Sequence, residues 1–105
     1  MSLSVIVSAY NEEKMLKDCL ESVREVSNEI IVVDNSSTDN TNKIAKEYTE
    51  KVFLRENNLM LNINKNFGIS KATKDWVLVL DADERLTDEL KKELKKILSS
   101  DAEYA

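Results

Sequence analysis

At 105 residues the chain is sized for one domain, able to bury roughly 65% of the surface its unfolded form exposes. Charged residues make up 33% of it and the net charge is −5, which argues against a nucleic-acid backbone as partner. With one cysteine and no histidine, disulfides within the chain, Cys/His zinc sites and histidine general bases are excluded, so any metal must be held by oxygen.

Leu3 to Ala9, with Val5-Ile6-Val7 at its centre, predicts a first strand. From Glu12 to Val26 the period changes: Met15, Leu16, Cys19, Leu20, Val23 and Val26 recur at helical spacing behind acids suited to a helix N-terminus. On that apolar face Cys19 reads as a buried, inert thiol. Glu29 to Val33 carries Ile30-Ile31-Val32-Val33, a second buried strand, and the polar turn Asp34-Asn35-Ser36-Ser37-Thr38-Asp39 leads into a helix predicted over Thr41 to Tyr48. Val52-Phe53-Leu54 predicts a short third strand, and the asparagines of Arg55 to Asn62 a loop. A third helix is predicted over Ile63 to Thr73, weakened by Gly68, the only glycine. The uncharged run Trp76 to Leu80 reads as a fourth strand, buried on both faces. Asp88 to Leu98 closes the chain as a helix capped by Thr87, with Leu90, Leu94, Ile97 and Leu98 on one face and the lysines of 91–96 on a solvated one. No apolar run approaches the roughly 20 residues needed to cross a bilayer. The charged Glu12-Glu13-Lys14 follows the first apolar segment too soon for a signal peptide.

Strands alternating with helices predict an α/β fold: a Rossmann-like parallel sheet of about four strands with right-handed crossovers and flanking helices. In such sheets ligands bind at the carboxyl ends of the strands where the winding reverses. If the order is 3-2-1-4, that point lies between the first and fourth strands, and Ser8-Ala9-Tyr10-Asn11-Glu12 meets Asp81-Ala82-Asp83 there, with Asp34-Asn35 one strand away. Asp81 and Asp83 repel each other unless one protonates, both stay hydrated or a divalent cation sits between them. The cation is the favoured reading, Mg²⁺ or Mn²⁺, bridging to the phosphates of a nucleotide. The bland reading is a solvated turn with acids ahead of a helix. Glu84 and Arg85 are expected to form a local ion pair.

The ordered set Ser4 to Glu13, Glu29 to Asp39, Lys65-Asn66-Phe67-Gly68 and Trp76 to Glu84 resembles the nucleotide-binding half of the family 2 glycosyltransferases, which have the GT-A fold. The wording Asp81-Ala82-Asp83-Glu84-Arg85 is most similar to transferases that build lipopolysaccharide cores and surface glycans. The resemblance implies that Tyr10 lies against the base, with Ser8 and Glu12 lining the same pocket and Asp34 and Asn35 at the base edge. It implies that Asp81 contacts the ribose or the metal and that Asp83 is the principal metal ligand. Lys65 stands where the family often has arginine, as a point charge for phosphate, and Asn66 matches the asparagine beside it. Asn35 replaces a family aspartate, and family glycines give way to Ser36 and to Asn57-Asn58-Leu59-Met60. The implied activity is inverting transfer from a nucleoside diphosphate sugar, a UDP-sugar by preference, to a glycan or lipid-linked acceptor, in the cytoplasm or at the inner face of the membrane. The family's catalytic base belongs to a later acceptor half, so residues 1–105 read as the donor-binding domain of a longer enzyme and no catalytic residue is expected among them. The competing readings are a nucleotide-binding or self-associating module without catalysis, with a homodimer as its signature, and a phosphatase built on Leu80-Asp81-Ala82-Asp83, which lacks downstream lysine and acidic motifs.

Overall fold

A computed structural model describes residues 2–57 and 61–99. The elements are β1 (Leu3–Ala9), α1 (Leu16–Arg24), β2 (Glu29–Asp34), α2 (Thr41–Lys46), β3 (Val52–Leu54), α3 (Leu61–Ser70), β4 (Trp76–Asp81) and α4 (Asp88–Leu98). The four strands are parallel, as the alternation of elements predicts, and the expected order 3-2-1-4 holds: β3-β2-β1-β4. Part of the expected loop, at 58–60, lies outside the described residues.

Successive side chains in a strand point to opposite faces, and the sheet uses that alternation to sort its core. Leu3, Val5, Val7 and Ala9 of β1, with Ile30 and Val32 of β2, pack with Leu16, Cys19, Leu20 and Val23 of α1, Ala45 of α2 and Leu98 of α4. Ile6, Ile31 and Val33 face the other way and pack against Phe53, Phe67, Ala72 and Val79. Helices α1, α2 and α4 therefore cover one face and α3 the other. Strands β1 and β2 are buried on both faces, as their uncharged β-branched runs require.

Strand β4 departs from expectation. It is an edge strand, and Val77 is 41% exposed, so the run is not buried on both faces. Its apolar content matches its neighbours, but among the described residues its only strand partner is β1. Helix α1 begins at Leu16 rather than Glu12. Asn11 adopts the left-handed region at φ 49°, and the backbone N–H groups of Glu12 and Glu13 donate to Thr41 Oγ1 and an Asp39 carboxylate oxygen, holding this stretch out of the helix.

Gly68 packs α3 onto the sheet. A Cβ at this position would lie 2.5 Å from Ile6 Cγ2 and 2.9 Å from Val33 Cγ2. The residue that weakens the helix locally is the one that lets its backbone approach β1 and β2. Helix α4 is capped as predicted, the Thr87 hydroxyl accepting from the Leu90 N–H at 3.2 Å, and Lys91 and Lys95 reach Glu25 beyond the end of α1 at 3.9 and 3.5 Å.

A cavity of about 410 Å³ lies at the amino edge of the sheet, away from the carboxyl ends, and Glu29, Tyr48, Lys51 and Lys74 are among its lining residues. Glu29 holds that edge together. It accepts from Ser4 Oγ at 2.6 Å, from the Thr73 N–H and hydroxyl at 2.9 Å each, and from Lys51. Burial would raise its pKa, but these donors outweigh it and hold the carboxyl down at about 2. With its oxygens so taken up, Glu29 is read as a tie between strands rather than part of a site.

Candidate nucleotide site at the carboxyl edge

The alternation that sorts the core also decides which polar side chains meet. Ser8 of β1 pairs in register with Asp81 of β4, and Ala9 pairs with Asp34 of β2. Following the parity of Ile6 and Val33, Ser8 and Asn35 fall on the α3 face, and Asp81 follows Val79 there. Asp34 has the opposite parity and turns toward α2.

The hydrogen bonds agree. Asn35 Nδ2 donates to Ser8 Oγ and to the Ala9 carbonyl, each at 3.0 Å. Asn64 of α3 donates from Nδ2 to Asn35 Oδ1 at 2.5 Å. Lys65, next along α3, reaches Asp81 with its ammonium 2.9 Å from Oδ1. Ser8, Asn35, Lys65 and Asp81 are thus gathered on one face of the sheet, at the carboxyl edge between β2, β1 and β4. The Ala82 N–H donates to the Ser8 carbonyl at 3.0 Å, extending the β1–β4 contact to the end of the strands.

Asp34 is fully buried. Its oxygens accept from the Ser37 N–H and from Asn42 Nδ2, each at 3.0 Å, so it secures the turn that follows β2. In that turn Ser36 has φ 61°, the left-handed region in which a glycine would be unstrained, and its hydroxyl donates to the Arg55 carbonyl at 2.6 Å. Tyr10 stands just past β1 and is 44% exposed. Glu12 is half-buried and Asn66 exposed, whereas Asn64, two residues earlier, is buried. Asn64 carries no motif of its own; its signal in the sequence is its place four residues before Gly68, which puts a polar residue on the sheet-facing side of α3 where it needs a partner.

Asp83 is exposed beyond β4, and the turn around it is tied by two bonds. The Glu84 N–H donates to the Asp81 carbonyl at 2.9 Å, and the Asp81 N–H donates to Glu84 Oε1 at 2.8 Å. The expected pairing of Glu84 with Arg85 is replaced by other partners: Arg85 reaches Asp18 of α1 at 3.5 Å while Glu84 serves the turn. Cys19 lies beneath, its thiol 3.8 Å from the Asp81 carbonyl. Burial first, and then the Glu84 charge, push it up to about 11, leaving it protonated and unreactive.

Among the described residues no group of three or more acidic, histidine or cysteine side chains could hold a metal ion by itself. Asp81 and Asp83, at and just past the end of β4, offer two hard oxygen donors at this edge. That set fits Mg²⁺ or Mn²⁺, which are held by one or two carboxylates and take their remaining ligands from water and substrate phosphates.

Known proteins are similar to this chain in sequence and fold. The family model described as Glycosyl transferase family 2 matches residues 4–105. An uncharacterised glycosyltransferase of Rickettsia typhi is 40% identical over 98 residues, covering 93% of this chain and 33% of that protein. Among solved structures, Staphylococcus aureus TarS 1–349 in complex with UDP is similar with a TM-score of 0.71 and 29% identity, over 93% of this chain and 32% of that one. Glucosyl-3-phosphoglycerate synthase of Mycobacterium tuberculosis, in complex with Mn²⁺ and UDP-glucose, is similar with a TM-score of 0.65 and 26% identity, over 78% of this chain and 33% of that one. The chain spans about a third of the length of the curated relatives it matches first. Its four-stranded sheet is the Rossmann-like nucleotide-binding half of a GT-A fold, and with the match running from Ser4 onward the chain belongs to glycosyl transferase family 2.

Proposed function

We propose that these residues form the donor-binding domain of a longer, metal-dependent, inverting glycosyltransferase. Its donor is a nucleoside diphosphate sugar, a UDP-sugar by preference, and its acceptor a glycan or lipid-linked molecule of surface-glycan or lipopolysaccharide synthesis. The observation that carries this reading is the convergence of Ser8, Asn35, Lys65 and Asp81 on one face at the carboxyl edge, with Tyr10 at the rim. The UDP complex of TarS, and the Mn²⁺ and UDP-glucose complex of the mycobacterial synthase, support the choice of donor and metal.

In this reading Tyr10 offers a π face to the base, with Ser8, Glu12 and Asn35 around it and Asp34 securing the turn behind. Lys65 holds phosphate as a point charge, beside Asn66, and Asp81 and Asp83 hold the divalent cation, Asp81 also within reach of the ribose. When bound, the cation supplies charge stabilisation for the departing diphosphate. Lys65 adds to that stabilisation once the diphosphate draws its ammonium from Asp81. The general base that deprotonates the acceptor comes from outside residues 1–105. Among the described residues no helix is long and apolar enough to cross a membrane. The proposed location is the cytoplasm, against the inner face of the membrane when the acceptor is lipid-linked.

The test is a calorimetric titration of the chain with UDP and with GDP, each with and without Mn²⁺. Manganese-dependent binding that disappears in Asp83→Asn, with the circular dichroism spectrum unchanged, is the expected result. Tight binding retained in Asp83→Asn, or no binding by a folded sample, overturns the reading. A second reading, a self-associating module without catalysis, draws on the edge strand β4 with its exposed Val77. It requires a homodimer in light scattering together with no nucleotide affinity.

A further inference from the structure

We propose that the cavity at the amino edge of the sheet is a second binding site, for a small oxyanion of the phosphate class, held by Asn28, Lys51 and Lys74. It lies at the opposite ends of the strands from the candidate nucleotide site and does not depend on the donor-binding reading.

A cavity of about 410 Å³ can hold a small ligand, and the hydrogen-bonding groups left open in it decide which kind. The acceptor at its floor is closed. A carboxylate has about four lone-pair positions, and Glu29 fills its own: Oε1 accepts from the Ser4 hydroxyl and the Thr73 N–H, and Oε2 from the Thr73 hydroxyl and Lys51. The Glu29 side chain is 2% exposed, and its charge is paired with Lys51. Glu50, the other carboxylate of the lining, is exposed, so its charge is hydrated and screened.

The donors are open. The Leu3 N–H only donates, so the atom of Asn28 that lies 2.9 Å from it is the oxygen, and Nδ2 makes no hydrogen bond among the described residues. The Lys51 ammonium has three N–H groups and spends one on Glu29, with its side chain half exposed. The Lys74 ammonium forms no ion pair among the described residues, and the carboxylate of the next residue, Asp75, is engaged by the Ser2 N–H and hydroxyl.

The parts that carry these donors are in place before any ligand arrives. The Ser4 hydroxyl accepts from the Lys74 N–H at 3.2 Å and donates to Glu29, so the backbone of residues 73–74 is strapped to the floor through Ser4 and Thr73. Glu29 fixes Lys51, and the start of β1 fixes Asn28. Such preorganisation lowers the ordering cost of binding. An oxyanion, with several acceptor oxygens and a negative charge, complements two ammoniums and an amide N–H₂. A cation would meet the ammoniums, and an apolar ligand would strip water from all three donors without replacing it.

The experiment follows thermal unfolding of the 105-residue chain in inorganic phosphate against sodium chloride of equal ionic strength, with calorimetry for the affinity. The native Tm is expected to rise by about 5–10 °C at a phosphate concentration roughly ten times Kd. Lys74→Met removes the ammonium but keeps the backbone bond to Ser4. Asn28→Asp keeps an acceptor for the Leu3 N–H and sets a carboxylate oxygen where the N–H₂ stood. Each is expected to weaken phosphate binding by about tenfold or more. Lys65→Met, at the other edge, is expected to leave it unchanged. Equal Tm in phosphate and chloride, an affinity that survives both amino-edge substitutions, or one lost only in Lys65→Met overturns the proposal, and the UDP titration is unaffected by that failure. Flotation with phosphatidylcholine vesicles, with and without phosphatidic acid, separates the sources. Capture that needs phosphatidic acid and is lost in both variants assigns a lipid headgroup, and phosphate binding without capture assigns a soluble phosphate.

Discussion

Replacing Gly68 with alanine sets two opposed effects against each other. Alanine is favoured over glycine in a helix interior by about 1 kcal/mol, so on propensity alone Gly68→Ala stabilises α3. Against this, the new methyl would lie 2.5 Å from Ile6 Cγ2 and 2.9 Å from Val33 Cγ2. Both contacts are methyls of β-branched side chains that are fully buried in the two central strands, and neither can swing aside within its rotamer. Overpacking of this kind costs about 1–3 kcal/mol, and two rigid contacts place it in the upper part of that range. The net expectation is destabilisation by about 1–2 kcal/mol, a fall in Tm of roughly 4–10 °C for a domain of this size. Thermal unfolding followed by circular dichroism measures the shift, and a urea titration with unchanged m-value assigns it to stability rather than to a changed denatured state. Because α3 must move outward to admit the methyl, Asn64 and Lys65 move with it, and UDP affinity falls in parallel. A Tm that rises would refute the reasoning, since it would mean that α3 does not approach β1 and β2 as described.

Glu29→Gln should flatten the acid limb of the stability curve. The folded carboxyl sits near 2 against an ordinary value of 4.5, so its contribution, on the order of 2–3 kcal/mol, is present above pH 4.5 and lost as pH falls toward 2. Urea unfolding between pH 2 and pH 7 reads the difference, and equal pH slopes in the two proteins would contradict it. Tyr10→Ala should weaken UDP binding by about 1–3 kcal/mol of lost stacking while changing stability by less than about 0.5 kcal/mol, read by calorimetry and thermal melts. Thr87→Ala removes the cap on α4 and should cost about 1 kcal/mol in urea unfolding with no change in UDP affinity, since α4 lies on the face of the sheet opposite α3.

The strands were legible because each is a short apolar run set between helical periods, but burial alone does not give their order: Trp76 to Leu80 is as uncharged as Ile30-Ile31-Val32-Val33, yet β4 lies at an edge. The start of α1 was not legible. Glu12 to Met15 fits the helical period, but those residues are held by the loop before α2, a contact 26 to 29 positions away that periodicity does not encode. In the candidate site, the arrival of Ser8, Asn35 and Asp81 at one edge followed from strand ends alone. That Asp34 and Asn35, adjacent in sequence, turn to opposite faces follows from the period of two and could have been read from the alternation. Asn64 required knowing which face of α3 meets the sheet, and Gly68 marks that face only once its close approach is seen.

Under the proposed donor-binding function, the Lys65–Asp81 pair has a thermodynamic consequence for how the two ligands couple. With side chains 28% and 50% exposed, it adds only about 0–1 kcal/mol to the fold and is easily opened. A cation taking Asp81 alone strands the ammonium, and a diphosphate taking Lys65 alone strands the carboxylate. When cation and diphosphate arrive together, both partners are re-paired in one exchange, so each ligand raises the affinity for the other by the same factor. A bridge that contributes little to stability thus makes the edge a coincidence detector, responding to the complex of the two ligands far more strongly than to either alone.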